Sequence, residues 1–329
     1  MNNSNAAGSD IKQMSIGKKI VSFPQFGILI VFIGLIIVLG CAAGRVFLTP
    51  DNFINILRQT SAQLIVAAGM TFVLILGGID LSVGSVANLC GTLSAGFIVN
   101  HGIPFIPAIL LALGIGLGLG LINGIVIAKL KIQPFIVTLA MMSSAKGLAL
   151  MYSSGKPISG LPEEYVELGR GSVGGLPIIA ILMIIVIVVL WMILARSKFG
   201  RRVYAAGGNE ECARLSGINV DKIKITTYVI CGFCAALTGL VYTARVGSAQ
   251  PASAEGLEMD AISAVVLGGT TLTGGKGYML GTIIGAFFLI VLTNGFNIVG
   301  LSSYLQQFLK GIILVVAVVL YTKASKSSI

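Results

Sequence analysis

The sequence predicts an all-α polytopic membrane protein of about ten transmembrane helices with both termini cytoplasmic, and three observations carry that reading. First, 56% of the 329 residues are apolar before the 43 glycines are counted, and only 10% are charged. A soluble domain has roughly 45–50% apolar residues with glycine included, and about 25% charged. The mean hydropathy is +0.98. A large share of any folded surface faces solvent, so a chain of this length cannot hide that much apolar area from water; its solvent is lipid. Second, the apolar residues fall in continuous runs close to the ~20 residues that cross a bilayer as a helix, without the period-two alternation of a β-barrel. Every lipid-facing amide must bond within its own segment, which selects helix. Third, basic residues segregate into alternate loops, as they do in membrane proteins.

The ten segments fall at 26–44, 60–78, 83–100, 104–128, 134–152, 176–195, 223–246, 258–273, 279–298 and 303–322, the eighth being short and glycine-rich. Residues 1–25 are polar, with Asp10 against Lys12, Lys18 and Lys19, and read as a cytoplasmic amino tail without a cleavable signal. Residues 26–322 form the membrane domain and 323–329 a cytoplasmic carboxyl tail. The loop 196–224 holds seven basic residues (Arg196, Lys198, Arg201, Arg202, Arg214, Lys222, Lys224) against three acids. The other long loop, 153–175, has two basic residues against three acids. That asymmetry places the first loop inside and the second outside, with Arg45 and Arg58 as mild exceptions. The net charge of +10 therefore sets orientation at a lipid bilayer and does not point to nucleic acid.

Small residues recur in the apolar runs. Gly114, Gly116, Gly118 and Gly120, followed by Asn123-Gly124, line one predicted helix, and glycine lets helix backbones approach where lipid supplies no hydrophobic drive. The five cysteines are an odd set, and Cys231-x-x-Cys234, one turn apart in an apolar run, reads as packing. Lys310, near a span end, reads as a snorkelling lysine.

An ionisable group at membrane depth is a functional candidate. Asp80 lies in Leu76-Gly-Gly-Ile-Asp-Leu-Ser-Val-Gly-Ser85, where glycines break regular helix; it either caps the next helix, as Ser82 could, or meets the solute. Leu267-Gly-Gly-Thr-Thr-Leu-Thr-Gly-Gly-Lys276 repeats parts of that stretch at differing offsets, the trace that internal repeats leave in transporters. Asn88, Asn123, Gln250 and Asn294 either line a polar route with Asp80 and Ser82 or bond between helices. There is no phosphate-binding loop for ATP, and the single histidine, His101, excludes multi-histidine metal sites. No catalytic residues, metal or cofactor are expected, and energy must come from outside the chain or from an ion gradient.

The loop from Phe199 to Val220 is patterned. Asn209 can cap a short helix with Glu210 and Glu211 in its first turn, and Gly217 can end it, giving a stub of about two turns. With these residues in view, the chain resembles the ribose-type permeases of bacterial ABC importers. The likeness lies in Gly-Ile-Asp-Leu-Ser-Val-Gly-Ser (78–85), Gly-Gly-Asn-Glu (207–210), Arg-Leu-Ser-Gly-Ile-Asn-Val (214–220), Ser-Ala-Gln-Pro (248–251), Asp-Ala-Ile-Ser-Ala-Val-Val-Leu-Gly-Gly-Thr (260–270) and Gly-Gly-Lys-Gly (274–277), and extends from about residue 45 to 322. It implies a homodimer in the bacterial inner membrane with a pathway on its axis. A cytoplasmic ATP-binding subunit would dock on the loops, and an extracytoplasmic sugar-binding protein would deliver a monosaccharide. It implies that 209–217 is the coupling helix, with Gly208, Asn209, Glu210, Ala213, Arg214 and Gly217 in contact with the ATPase. An ion-coupled carrier working alone, with Asp80 as its acid, is the alternative from another class, and a non-transporting membrane scaffold is a third.

Overall fold

The computed structural model describes residues 26–326; the amino tail 1–25 and the last three residues of the carboxyl tail lie outside the described residues. In chain order the helices are α1 (Phe26–Ala42), α2 (Gly44–Phe47), α3 (Pro50–Ile75), α4 (Val83–Val99), α5 (Phe105–Lys129) and α6 (Pro134–Ser153). There follow α7 (Glu163–Arg170), α8 (Ile178–Arg196), α9 (Lys198–Gly208), α10 (Glu210–Leu215), α11 (Val220–Val246), α12 (Leu257–Leu267), α13 (Met279–Ile298) and α14 (Ser303–Lys326). Each of the ten predicted segments overlaps one of these helices, with the bounds of the second and eighth differing most. Among the described residues, α5, α6, α8, α11 and α13 are long and apolar enough to cross a membrane, and α1 and α4 are shorter apolar helices.

The centre of the bundle is α3. Every residue from Thr60 to Ile75 is buried, with α11, α13, α8 and α12 packed around it. It starts ten residues before the predicted span. Thr49 caps it, its hydroxyl accepting from the Asn52 amide at 3.3 Å, and Pro50 occupies the first turn, where no amide is needed. Asp51, Asn52, Asn55, Arg58 and Gln59 make its first turns too polar for the predicted span to include them, and Asp51, Phe53 and Asn55 are exposed there.

The glycines of α5 follow the helical period. A Cβ at Gly116 would overlap Ala236, one at Gly120 the Tyr228 carbonyl, and one at Gly124 the Ile225 backbone, while Gly114 and Gly118 face open space. Only the glycines four apart share the face that meets α11, as 3.6 residues per turn requires. Cys231 and Cys234 are buried free thiols, and Cys234 packs on Gly69 of α3.

Two helices are interrupted. Seven residues, 76–82, separate α3 from α4, with Gly77 at φ +79°. The eighth segment holds only the eleven residues of α12, about 16 Å of helix at ~1.5 Å per residue, roughly half of what the hydrocarbon demands. The connections that follow α6, α7 and α11 are pinned by short strands. β1 (Ile158–Ser159) pairs antiparallel with β4 (Ser248–Ala249), and β2 (Ser172–Val173) with β3 (Leu176–Pro177).

Candidate functional site

The stub forms as its sequence dictates. The Asn209 side chain accepts from the Cys212 amide at 2.9 Å, and Gly217, at φ +77°, ends the helix with the Ile218 amide bonded to Ala213 O at 3.0 Å. Ala213 is buried against Ala206 and Val220, which seats the stub, while Gly208, Asn209, Glu210, Arg214 and Gly217 are exposed. Its ion pairs tie it to the bundle. Arg214 reaches Glu210 at 3.0 Å and Asp221 of α11 at 2.6 Å; Lys224 of α11 reaches Glu210 at 2.7 Å; Lys129 of α5 lies 3.6 Å from Asp221. Burial alone would raise the Glu210 carboxyl, but hydrogen bonds from Lys224 and Arg214 outweigh it and hold the group below its ordinary 4.5.

One helix went unforeseen. α9 carries Gly200, Val203 and Ala206 on a buried face and is capped by Ser197, whose hydroxyl accepts from the Gly200 amide at 3.0 Å. It docks α10 onto the bundle: the Tyr204 hydroxyl donates to Gly277 O at 2.7 Å, and Phe199 stacks on Phe72 of α3 at 6.4 Å. Leu215, at the end of the stub, was also unforeseen as a surface feature and is 84% exposed. A lone leucine among Glu211, Arg214 and Ser216 was the available signal.

A cavity of about 350 Å³ opens between the stub and the break after α3, lined by Gly78, Gln133, Glu210, Arg214, Lys224 and Tyr228. Beside it the first break is held by a buried polar network. Asp80 Oδ1 accepts from the Ser82 amide at 2.9 Å and the Ser82 hydroxyl at 2.6 Å; Asn123 Nδ2 donates to that hydroxyl at 3.1 Å; the Cys231 thiol reaches the same carboxylate. Asp80 therefore closes the turn that precedes α4 from inside the protein, bonding Ser82, the residue before the helix. Asn123 Oδ1 and the Tyr228 hydroxyl are buried without a hydrogen-bond partner among the described residues.

The six residues expected along a polar route stand in three places. Asp80, Ser82 and Asn123 form the network just described. Asn88 and Gln250 meet the segment before α12, where Asn88 Oδ1 accepts from the Ala254 amide at 2.8 Å and Gln250 is exposed. Asn294 is paired with Asn52 through two side-chain hydrogen bonds: Asn52 Nδ2 donates to Asn294 Oδ1 at 3.0 Å and Asn294 Nδ2 to Asn52 Oδ1 at 2.8 Å. Lys310 does not simply snorkel: its ammonium lies 3.7 Å from Asp260.

The two glycine-rich stretches that echo each other in sequence pack together. The Gly275 amide donates to Ile75 O at 2.8 Å, and a Cβ on Gly274 would press on the backbone of Gly77. Interrupted helices meeting inside a helical bundle, with a polar stub ion-paired to the first turns of α11, are the construction of a transmembrane permease.

Comparison with known proteins narrows this class. Residues 52–318 match the family described as branched-chain amino acid transport system / permease component, and the chain belongs to that family, among the ribose-type permeases of ABC importers. It is 47% identical over 281 residues to the ribose import permease protein RbsC of Bacillus subtilis, covering 85% of this chain and 87% of that one. It is 42% identical over 314 residues to the protein of that name from Haemophilus influenzae, covering 94% and 96%. The D-allose transport system permease protein AlsC of Escherichia coli is 33% identical over 302 residues, covering 92% and 93%. No solved structure matches the chain.

Proposed function

We propose that this chain is the translocation subunit of an ATP-driven importer for ribose or a closely related monosaccharide. Two copies work together in the bacterial inner membrane, each crossing it ten times with both ends in the cytoplasm. An extracytoplasmic binding protein supplies the sugar and most of the affinity, so the chain needs no dense sugar site of its own. A cytoplasmic ATPase grips the stub at Gly208, Asn209, Glu210, Ala213, Arg214 and Gly217, with Leu215 as an apolar knob for its cleft. The observation that carries the reading is the extent of likeness to the ribose import permeases, which spans nearly the whole of both chains.

The ion pairs suggest how force travels. Glu210, Arg214, Asp221 and Lys224 join the stub to the first turns of α11, and Lys129 extends the link to α5. A displacement of the stub then moves both helices as one body, next to the break that holds Asp80. The deciding measurement is uptake of labelled ribose into proteoliposomes containing the chain, its ATPase and its binding protein. Uptake that needs ATP and both partners is expected. Accumulation by the chain alone under a proton or sodium gradient would instead make it an ion-coupled carrier.

A further inference from the structure

The cavity of about 350 Å³ between the stub and the break after α3 plays no part in the importer reading, and its size lies within the ~300–1,000 Å³ range of small-ligand sites. It runs inward from exposed groups to buried ones. Lys131, Gln133, Glu210 and Arg214 stand on its exposed side, while Gly78 and Tyr228 lie at its inner end. Its lining carries three cations, Lys131, Arg214 and Lys224, against the single acid Glu210. That excess of positive charge makes an anion the fitting occupant.

The cations have donors to spare. Arg214 uses only Nη2 in its bonds to Glu210 and Asp221, and the Lys224 ammonium, with three N–H donors, gives one to Glu210. Lys131 makes no ion pair among the described residues. The amino end of α6 adds to them. Gln133 and Pro134 line the cavity, and Gln133, at the N-cap, makes no side-chain bond to the helix amides. The partial positive charge of a helix start favours an anion there.

An independent observation comes from the inner end. Tyr228 is 1% exposed, and its hydroxyl is buried without a hydrogen-bond partner among the described residues. Gly78 makes room for it, since a Cβ there would lie 2.5 Å from the hydroxyl oxygen. A buried donor left unmet costs free energy, and an acceptor oxygen in the cavity relieves that cost. A hydroxyl donor at one end and cationic side chains at the other suit a compact group with several anionic oxygens.

We propose that this cavity binds a phosphate group, held by Lys131, Arg214 and Lys224, with the Tyr228 hydroxyl donating to one of its oxygens. The bound group joins the α5–α6 connection, the stub and α11 at one point. On the importer reading the site opens to the cytoplasm beside the ATPase. Its phosphate is either free in solution or carried on a lipid headgroup, two sources with the same chemistry.

The test measures the melting temperature of the full chain in two media. The first is neutral detergent with inorganic phosphate, against sodium chloride of equal ionic strength. The second is nanodiscs of phosphatidylcholine with and without phosphatidylglycerol. Tyr228→Phe and Lys131→Asn accompany the unsubstituted chain. Phenylalanine removes only the unpartnered hydroxyl. Asparagine removes the charge at a residue whose φ of +54° it tolerates. Both variants should melt with the unsubstituted chain in chloride. A saturable rise with phosphate, requiring on the order of ten-fold or more phosphate in either variant, is expected for a free anion. A rise only with phosphatidylglycerol, lost in both variants, assigns the site to a lipid headgroup. No rise in either medium overturns the proposal. So does an equal rise in the variants, which exclusion of phosphate from any protein surface produces. None of these measurements needs ATP or sugar. A chain that takes up ribose with its ATPase but ignores phosphate sinks only this site. One that binds phosphate yet accumulates sugar under an ion gradient alone sinks only the importer reading.

Discussion

The Gly275 amide donates to the Ile75 carbonyl at 2.8 Å, so the last turn of α3 is completed by a residue from the opposite half of the chain. Gly207 closes the same junction: a Cβ there would overlap the Ile75 carbonyl and come within 3.0 Å of the Gly275 nitrogen. Three segments distant in sequence thus meet at one backbone contact that has no room for a side chain. α9, and the stub behind it, rests on that contact.

Gly207→Ala should consequently destabilise the chain by about 1–3 kcal/mol, the usual cost of forcing extra atoms into a packed contact. Gly208→Ala, one residue on, should stay within about 0.5 kcal/mol, since a Cβ there meets nothing within 4 Å. Thermal denaturation of the purified chain in detergent measures both. Equal shifts in the two variants would mean that α9 is not seated on the end of α3.

How far the sequence reveals this arrangement depends on the range of the interactions involved. The Asn209 cap and the Gly217 stop are local: each is a side chain or backbone preference acting within a few residues, so both can be read directly. Helix positions follow from hydropathy where lipid is the neighbour, as in α8. Hydropathy fails at the start of α3, where Asp51, Asn52, Asn55, Arg58 and Gln59 interrupt the apolar run ahead of the predicted span. It also fails for α9, whose apolar residues Val203 and Ala206 are too few to stand out among basic neighbours. The division of the polar residues into separate networks was not legible, because it depends on partners such as Asn52 and Ala254, far away in the chain.

Glu210 carries a pH dependence whose sign is fixed. Its burial raises the carboxyl, and the bonds from Lys224 and Arg214 more than reverse this, so the folded value lies below the usual 4.5. A depressed folded value contributes stability above the unfolded one and loses it as pH falls through the folded one. Melting temperature followed from neutral pH to below 4.5 should show an acid decline that Glu210→Gln reduces. At neutral pH the variant should lose less than about 1 kcal/mol, because half-exposed pairs are screened. An unchanged acid decline in Glu210→Gln would place the titrating group elsewhere.

Leu215 separates partner binding from folding. The side chain is 84% exposed, so Leu215→Ser should leave the melting temperature within about 0.5 kcal/mol equivalent. If the stub enters a cleft on the ATPase, the same change should weaken co-purification of that subunit and lower ATP-dependent uptake by about ten-fold or more, as loss of a central apolar anchor does. Normal co-purification and uptake would remove Leu215 from the interface.

Asn294 tests whether a buried polar residue in the bundle serves transport or architecture. Its amide exchanges two hydrogen bonds with Asn52, joining α13 to the first turn of α3. In Asn294→Asp the donor toward Asn52 Oδ1 becomes an acceptor, leaving two oxygens opposed in a partly buried site. That should cost about 1–3 kcal/mol, the penalty for a buried group deprived of its partner. Asn294→Ala should cost a similar amount by leaving Asn52 Oδ1 without its donor, while Asn52 Nδ2 keeps the Phe47 carbonyl. If the pair is architectural, uptake per folded molecule stays unchanged in both variants while the melting temperature falls. Loss of uptake at undiminished stability would instead return Asn294 to the solute's route.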